Sequence, residues 1–317
     1  MKKRIINYSG YHVVLLGVIS YFGVSLYFKR NELGNCLFIS VLLIGFLYGM
    51  FKARPNNTDV LFKLDKAVFL NILFVIVGGL IPYILNKHLN VNVVLGSALV
   101  GITGGLVLKK YEAALYCGSF IGMCSIEVFN YPEFILVALL TGFLFILVKE
   151  VFNGYGGKLG TTAFIFGFLF YFIFYNNNPN LPSTFTPLQM LIVVVGSSLA
   201  AWITYVFNVK FELGPVLASG LVGLGIGVVL VLEGSSFSLH LAGIIFGATF
   251  IGMSSKEIAK NQWFIVIGGL LFGVVYIMMI PFNGLGGMLG TTAFISTITL
   301  YGLRNFVYKT QRFLPKS

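Results

Sequence analysis

The sequence predicts an all-α polytopic membrane protein, and three observations predict it. Hydrophobic residues make up 57% of the 317-residue chain and charged residues only 10%, against roughly 25% charged in a soluble domain. Apolar stretches recur along the whole length, with mean hydropathy +0.93, so no soluble catalytic domain fits between them. The few basic residues fall in alternate connections, as loop charge does in a multi-pass protein. The net charge of +11 is read in the same way, and not as a nucleic-acid surface.

About twelve hydrophobic segments are expected, at roughly 11–28, 36–51, 67–85, 91–108, 112–127, 134–150, 161–175, 190–207, 216–232, 239–254, 263–280 and 291–303. Several fall short of the ~20 apolar residues a full helical crossing needs, so some are expected to be broken or re-entrant. The first follows Lys2, Lys3 and Arg4 and lacks a small-residue cleavage site, which reads as a span and not as a signal peptide. With the N-terminus cytoplasmic, 18 of the 21 Lys and Arg residues fall on the inside, leaving Lys29, Arg30 and Lys87 outside. Both termini are therefore expected in the cytoplasm.

Residues 152–165 (FNGYGGKLGTTAFI) and 282–295 (FNGLGGMLGTTAFI) agree at 12 of 14 positions, 130 residues apart. The same offset relates 120–127 (FIGMCSIE) to 250–257 (FIGMSSKE). Two motifs in one register mean internal duplication. The expected organisation is two N-terminal peripheral helices in residues 1–60, repeat 1 in 61–176, and repeat 2 with a basic tail in 177–317. Each repeat holds five segments. Five is odd, so the second repeat enters the membrane from the opposite side, giving the inverted topology common in transport proteins. The first glycine loop then faces the cytoplasmic half and the second the outer half. Segments 11–28 and 36–51 stand outside the symmetry and are read as serving packing or homo-oligomerisation. The glycine rows at 98–108 and 220–230 suit close helix contact, with a narrow pore lining as the other use.

The duplicated motif is the candidate solute site. Its glycines cannot sustain a helix and allow close backbone approach. Thr161 or Thr162, and Thr291 or Thr292, are expected to cap the helix that follows, exposing unpaired N–H groups and a partial positive charge to a small anion or a carbonyl oxygen. Asn153 and Asn283 would add amide groups. Phe152 and Phe282 would act as apolar gates, and Gly156, Gly157, Gly286 and Gly287 would bring the backbone to the solute. Glu127 and Glu257, the acidic pair matched by the repeat, are candidates for proton or ion coupling; near span ends they equally read as interfacial carboxylates. Lys158, matched by Met288, is either a cytoplasmic anion contact or an orienting inside charge. A nucleotide-binding loop is excluded, because Leu159 follows Gly157-Lys158 where that motif needs Ser or Thr.

Other residues carry less. Cys36, Cys117 and Cys124 read as core residues. His12, His88 and His240 do not cluster, so no metal site and no nucleophile triad can be assembled. No cofactor is expected, and neither is an enzyme. The basic, aromatic tail from Arg304 to Lys316 suits an anionic lipid surface.

Five segments per inverted repeat at this spacing resemble the urea transporters, and Gly154-Tyr155-Gly156-Gly157-Lys158-Leu159-Gly160 is loosely similar to that family's G-Y-N-G-x-L-x-G element. The resemblance covers about residues 67–303 and implies a channel for small neutral amides, usually trimeric. The family's L-P-x-x-T-x-P-F signature should occur twice; this chain has only Leu181-Pro182-Ser183-Thr184-Phe185-Thr186-Pro187-Leu188. The chain also looks like an uncharacterised group of duplicated bacterial membrane proteins, which implies the bacterial plasma (inner) membrane. The expectation is a channel or facilitator for a small polar solute, a neutral amide or small anion, working in the lipid bilayer without nucleic acid. The alternatives are a proton- or ion-coupled secondary transporter and a non-transporting membrane scaffold or subunit.

Overall fold

The computed structural model describes residues 2–55, 65–125, 127–174, 185–279 and 284–311, with side chains from residue 8 onward. Every regular element among them is helical: α1 (Lys2–Lys29), α2 (Leu33–Lys52), α3 (Lys66–Leu89), α4 (Val93–Val107), α5 (Glu112–Ile121), α6 (Tyr131–Val148), α7 (Lys158–Phe174), α8 (Pro187–Tyr205), α9 (Pro215–Glu233), α10 (Ser236–Gly252), α11 (Lys256–Ala259), α12 (Gln262–Met278) and α13 (Met288–Gln311). A single π-turn, Val206–Lys210, extends α8.

The helix ends follow local chemistry. Asn130 and Glu133 form a reciprocal capping box before α6, and Thr186 and Gln189 form another before α8, each followed by a proline in the first turn. These pairs satisfy N–H groups that have no partner within the helix. Asp65, Asn92, Ser235 and Asn261 cap α3, α4, α10 and α12 through their side chains. The fifth expected segment, 112–127, is shorter than its apolar run suggests. Helix α5 stops at Ile121, where the chain turns through Gly122 and Met123. Its ten residues cover about 15 Å, half of a bilayer core.

Among the described residues, six helical stretches are long and apolar enough to cross a membrane: Tyr8–Lys29, Leu33–Lys52, Lys66–Leu89, Tyr131–Val148, Pro187–Lys210 and Pro215–Glu233. Helices α4, α7, α10 and α12 are apolar but shorter. Large apolar side chains such as Leu16, Val41, Phe69, Phe143, Leu191, Val229 and Trp263 stand exposed around the outside. This is the all-helical build of an α-helical membrane protein, whose exterior faces hydrocarbon.

The helices pack in two matching sets. In the first, α3 lies against α5 and α6, α4 against α5, and α7 against α5 and α6. In the second, α8 lies against α10 and α12, α9 against α10, and α13 against α10 and α12. The sets are joined where α4 meets α9 and where α7 meets α13. Outside them, α1 lies along α6 and α7, while α2 lies along α13.

Candidate functional site

Both glycine loops end in a residue that only glycine adopts freely, Gly157 at φ +85° and Gly287 at φ +84°. The helix begins at the next residue, earlier than the threonines suggest. Gly157 and Gly287 carbonyls accept the first helical bonds, from the Thr161 and Thr291 N–H groups at 3.0 and 3.1 Å. The threonines therefore sit inside the first turn and do not cap it. Their hydroxyls bond backwards: Thr161 to Gly157 O (3.1 Å), Thr162 to Lys158 O (2.9 Å), Thr291 to Gly287 O (3.3 Å) and Thr292 to Met288 O (3.2 Å). A hydroxyl placed one turn into a helix reaches the preceding carbonyl more readily than a free N–H.

The two helix starts touch. A Cβ on Gly160 would lie 2.5 Å from Gly290 Cα, so here backbone meets backbone. On either side of that contact, Gly157 abuts Phe294 and Gly287 abuts Phe164. Position 157 pairs with 294, 160 with 290 and 164 with 287, so the helices overlap antiparallel at their N-terminal ends and diverge beyond.

Each loop is also seated on the other copy's second motif. Ser255 N–H donates to Gly154 O, and Ser125 N–H donates to Gly284 O, both at 2.9 Å. Gly156 lies against Phe250 O and donates its N–H to Ser254 Oγ at 3.1 Å. Gly286 lies in the matching place against Phe120 O. The 120–125 and 250–255 elements are thus the sockets of the two loops.

Two cavities open beside these loops. One, of ≈ 260 Å³, is walled by Gly154, Gly157 and Gly160, with Glu112, Asn208 and Ser255 among its polar lining. The other, of ≈ 220 Å³, is walled by Gly284, Gly287 and Gly290, with Asn92, His240 and Tyr276. Both reach Phe120 and Phe250, whose ring centroids are 4.6 Å apart. Tyr116 and Phe246, one turn earlier on α5 and α10, complete a block of four rings. Tyr116 is 4.4 Å from Phe120, Phe246 is 5.0 Å from Phe250, and Tyr116 is 6.2 Å from Phe250. None of the four is more than 2% exposed.

Other expected site residues have different surroundings. Phe152 is buried at φ +56° with its ring between Tyr11 (5.6 Å) and Phe294 (5.1 Å), and lines neither cavity. A non-glycine residue in that region is strained, and the packing of three rings holds it there. Asn153 is exposed, donating to Glu150 Oε2 at 3.3 Å and accepting from Lys158 at 2.9 Å. The Lys158 ammonium donates further to Lys149 O (3.0 Å) and Val151 O (3.1 Å). Lys158 also lines the ≈ 260 Å³ cavity, but those three bonds use its three donors, so it clips the loop to the end of α6 and leaves no hydrogen for an anion. Glu127 and Glu257 are both exposed and line neither cavity. The Ser255 hydroxyl holds the Glu257 carboxyl below the usual carboxylate range. Phe282 and Asn283 lie outside the described residues, as do Leu181 to Thr184.

The four-ring block was missed in the sequence reading. Its signal was present: Tyr116/Phe246 and Phe120/Phe250 are each 130 apart, and each helix carries its pair at i, i+4. In a chain with 32 phenylalanines and 16 tyrosines, such spacing does not stand out. The glycine rows are mainly contact surfaces: Gly101 and Gly223 seat the Tyr116 and Phe246 rings, and Gly105 lies against Leu217. Among the described residues no cluster of three or more His, Cys, Asp or Glu could hold a metal.

Set against known proteins, the chain matches no family model, no curated protein and no solved structure.

Proposed function

We propose that this chain is a channel or facilitator that lets a small polar solute cross a membrane between two inverted repeats. The observation that carries the reading is the pair of cavities. They are walled by equivalent residues of the two glycine loops, and both end on the same two rings, Phe120 and Phe250. With the N-terminus cytoplasmic, the Glu112 cavity opens inward and the His240 cavity outward. Phe120 and Phe250 then stand where the inner and outer halves of one pathway meet.

Depth supports the placement. From Phe164, at the edge of the α7–α13 overlap, α7 runs to Phe174, about 15 Å of helix. That is half of a ~30 Å hydrocarbon core, so the overlap lies near the midplane if α7 ends at the outer surface. Both glycine loops then enter the bilayer, and two helix N-termini face the pathway from opposite sides. Their N–H groups and positive ends suit the carbonyl of a neutral amide or a small anion. A backbone buried this way is tolerated in a membrane only inside protein or beside a cavity.

Cavities of similar size on both sides, with both loops held by the same 2.9 Å bond, favour a channel over alternating access, in which one side closes as the other opens. A coupled mechanism remains the second reading, and Glu112 favours it, as a carboxylate that lines the inner cavity. Purified protein in liposomes tests both. Downhill flux of urea, formamide or chloride is expected to exceed that of protein-free vesicles and to rise further in Phe120→Ala. Uphill uptake driven by a proton or sodium gradient would replace the channel by the coupled transporter. Rates equal to empty vesicles for every small amide and anion, in both proteins, would overturn transport.

A further inference from the structure

The four rings between the cavities are not equivalent. Phe120 is matched by Phe250, but Tyr116 is matched by Phe246, which has no hydroxyl. The Tyr116 hydroxyl pairs with Ser219 on α9 at 2.8 Å, and Ser219 pairs with Thr249 on α10 at 2.6 Å. Thr249 also donates to Phe246 O at 2.6 Å. One chain of hydroxyls therefore ties α5 of the first copy to two helices of the second. The matching hydroxyls, Ser97 and Ser119, pair at 2.7 Å, and Ser119 donates to Tyr116 O at 2.9 Å. Both lie in the first copy, so no second tie crosses between the copies there.

We propose that Tyr116 is the positioning residue that holds the barrier closed, an inference that rests on reading the two cavities as one pathway. The path opens when Phe120 and Phe250 separate, and a shift of α5 against α10 separates them. Tyr116 stands one turn before Phe120 on the same helix and touches both barrier rings. Any shift that withdraws Phe120 also pulls the Tyr116 hydroxyl off Ser219. All of these groups are buried, so no water replaces the lost partner, and the separated hydroxyls resist opening. Removing the hydroxyl is different from separating it. In Tyr116→Phe, Ser219 and Thr249 still bond each other and Thr249 still bonds Phe246 O, so no buried polar group is orphaned. The fold is kept and the tie is lost.

The mirror position makes the test specific. Phe246 lies over Gly223 as Tyr116 lies over Gly101, so Phe246→Tyr directs a hydroxyl toward Ser97 and Ser119. Solute flux into liposomes is measured for the wild type, Phe120→Ala, Tyr116→Phe, Ser97→Ala and the double variant Tyr116→Phe/Phe246→Tyr, with thermal midpoints recorded in detergent. Tyr116→Phe is expected to pass solute about 3- to 10-fold faster, the factor one neutral hydrogen bond represents, with its midpoint unchanged. The double variant is expected to return to the wild-type rate, and Ser97→Ala to stay there. A faster Phe120→Ala alongside an unchanged Tyr116→Phe would overturn the tie and leave the pathway standing. Flux at the empty-vesicle level in every protein, Phe120→Ala included, would overturn the pathway and the tie with it.

Discussion

The two glycine loops differ at only two of fourteen positions, and neither is one of the glycines packed on the opposite copy. Gly154, Gly157, Gly160 and Phe164 each touch the opposite copy, and so do Gly284, Gly287, Gly290 and Phe294. A residue on such a contact faces its own counterpart's surroundings, so the two copies meet the same steric demand. Tyr155 and Lys158 line the first cavity with those glycines, as Leu285 and Met288 line the second. Tyr155 sets its ring 5.1 Å from Tyr301 in the C-terminal half of α13. Lys158 closes its own loop onto α6. Their partners Leu285 and Met288 are buried and apolar. The loops are alike in the glycines that pack on the opposite copy and unlike in the two side chains that each adds to its own cavity.

That contrast can be broken most severely at its centre. A side chain at Gly160 or Gly290 would meet backbone that has nowhere to move, so Gly160→Val and Gly290→Val are each expected to abolish monodisperse protein in size-exclusion chromatography. The cost exceeds the ~1–3 kcal/mol of ordinary overpacking. Equal loss from both variants is the signature of a shared contact, and a well-folded Gly290→Val beside a failed Gly160→Val would refute it. A smaller effect is expected from Lys158→Met, which gives the first loop the second loop's residue. It leaves Lys149 O and Val151 O without their donor, costing about 1–3 kcal/mol, and should lower the thermal midpoint by several degrees while the protein still folds. An unchanged midpoint would mean the clip contributes nothing. The smallest effect belongs to the matched carboxylates. Glu127→Gln and Glu257→Gln should leave flux unaltered at neutral pH. The Glu257 carboxyl is already held low, so it is ionised there and any stability it lends disappears only as pH falls through that lowered value. A flux that loses its proton dependence in Glu257→Gln would restore that residue to the mechanism.

Much of the fold was legible because it is locally encoded. Proline and capping residues mark the starts of α6 and α8, and apolar runs mark helices whatever their neighbours. The duplication was legible because the loops share a contact that tolerates little change. Two local expectations failed for a local reason: the threonines sit one turn past the helix start that the positive-φ glycine sets, and α5 ends before its apolar run does. The site was less legible. Asn153 and Glu257 look functional as polar residues in an apolar chain, but exposure lets both reach their own neighbours or solvent. The four rings look ordinary because they are apolar, and only the cavities on either side set them apart.

By itself the sequence determined the class, the positions of most helices, the internal duplication and the loop where the backbone leaves the helix. Those follow from composition, period and the conformational freedom of glycine, which act within a few residues. Only the tertiary structure decided that each loop sits in the other copy's socket, that Gly160 meets Gly290, and that Phe120 and Phe250 line both cavities. Those facts depend on residues far apart in the chain, Gly160 and Gly290 by 130 positions, coming within a few ångströms, and no local preference contains that information.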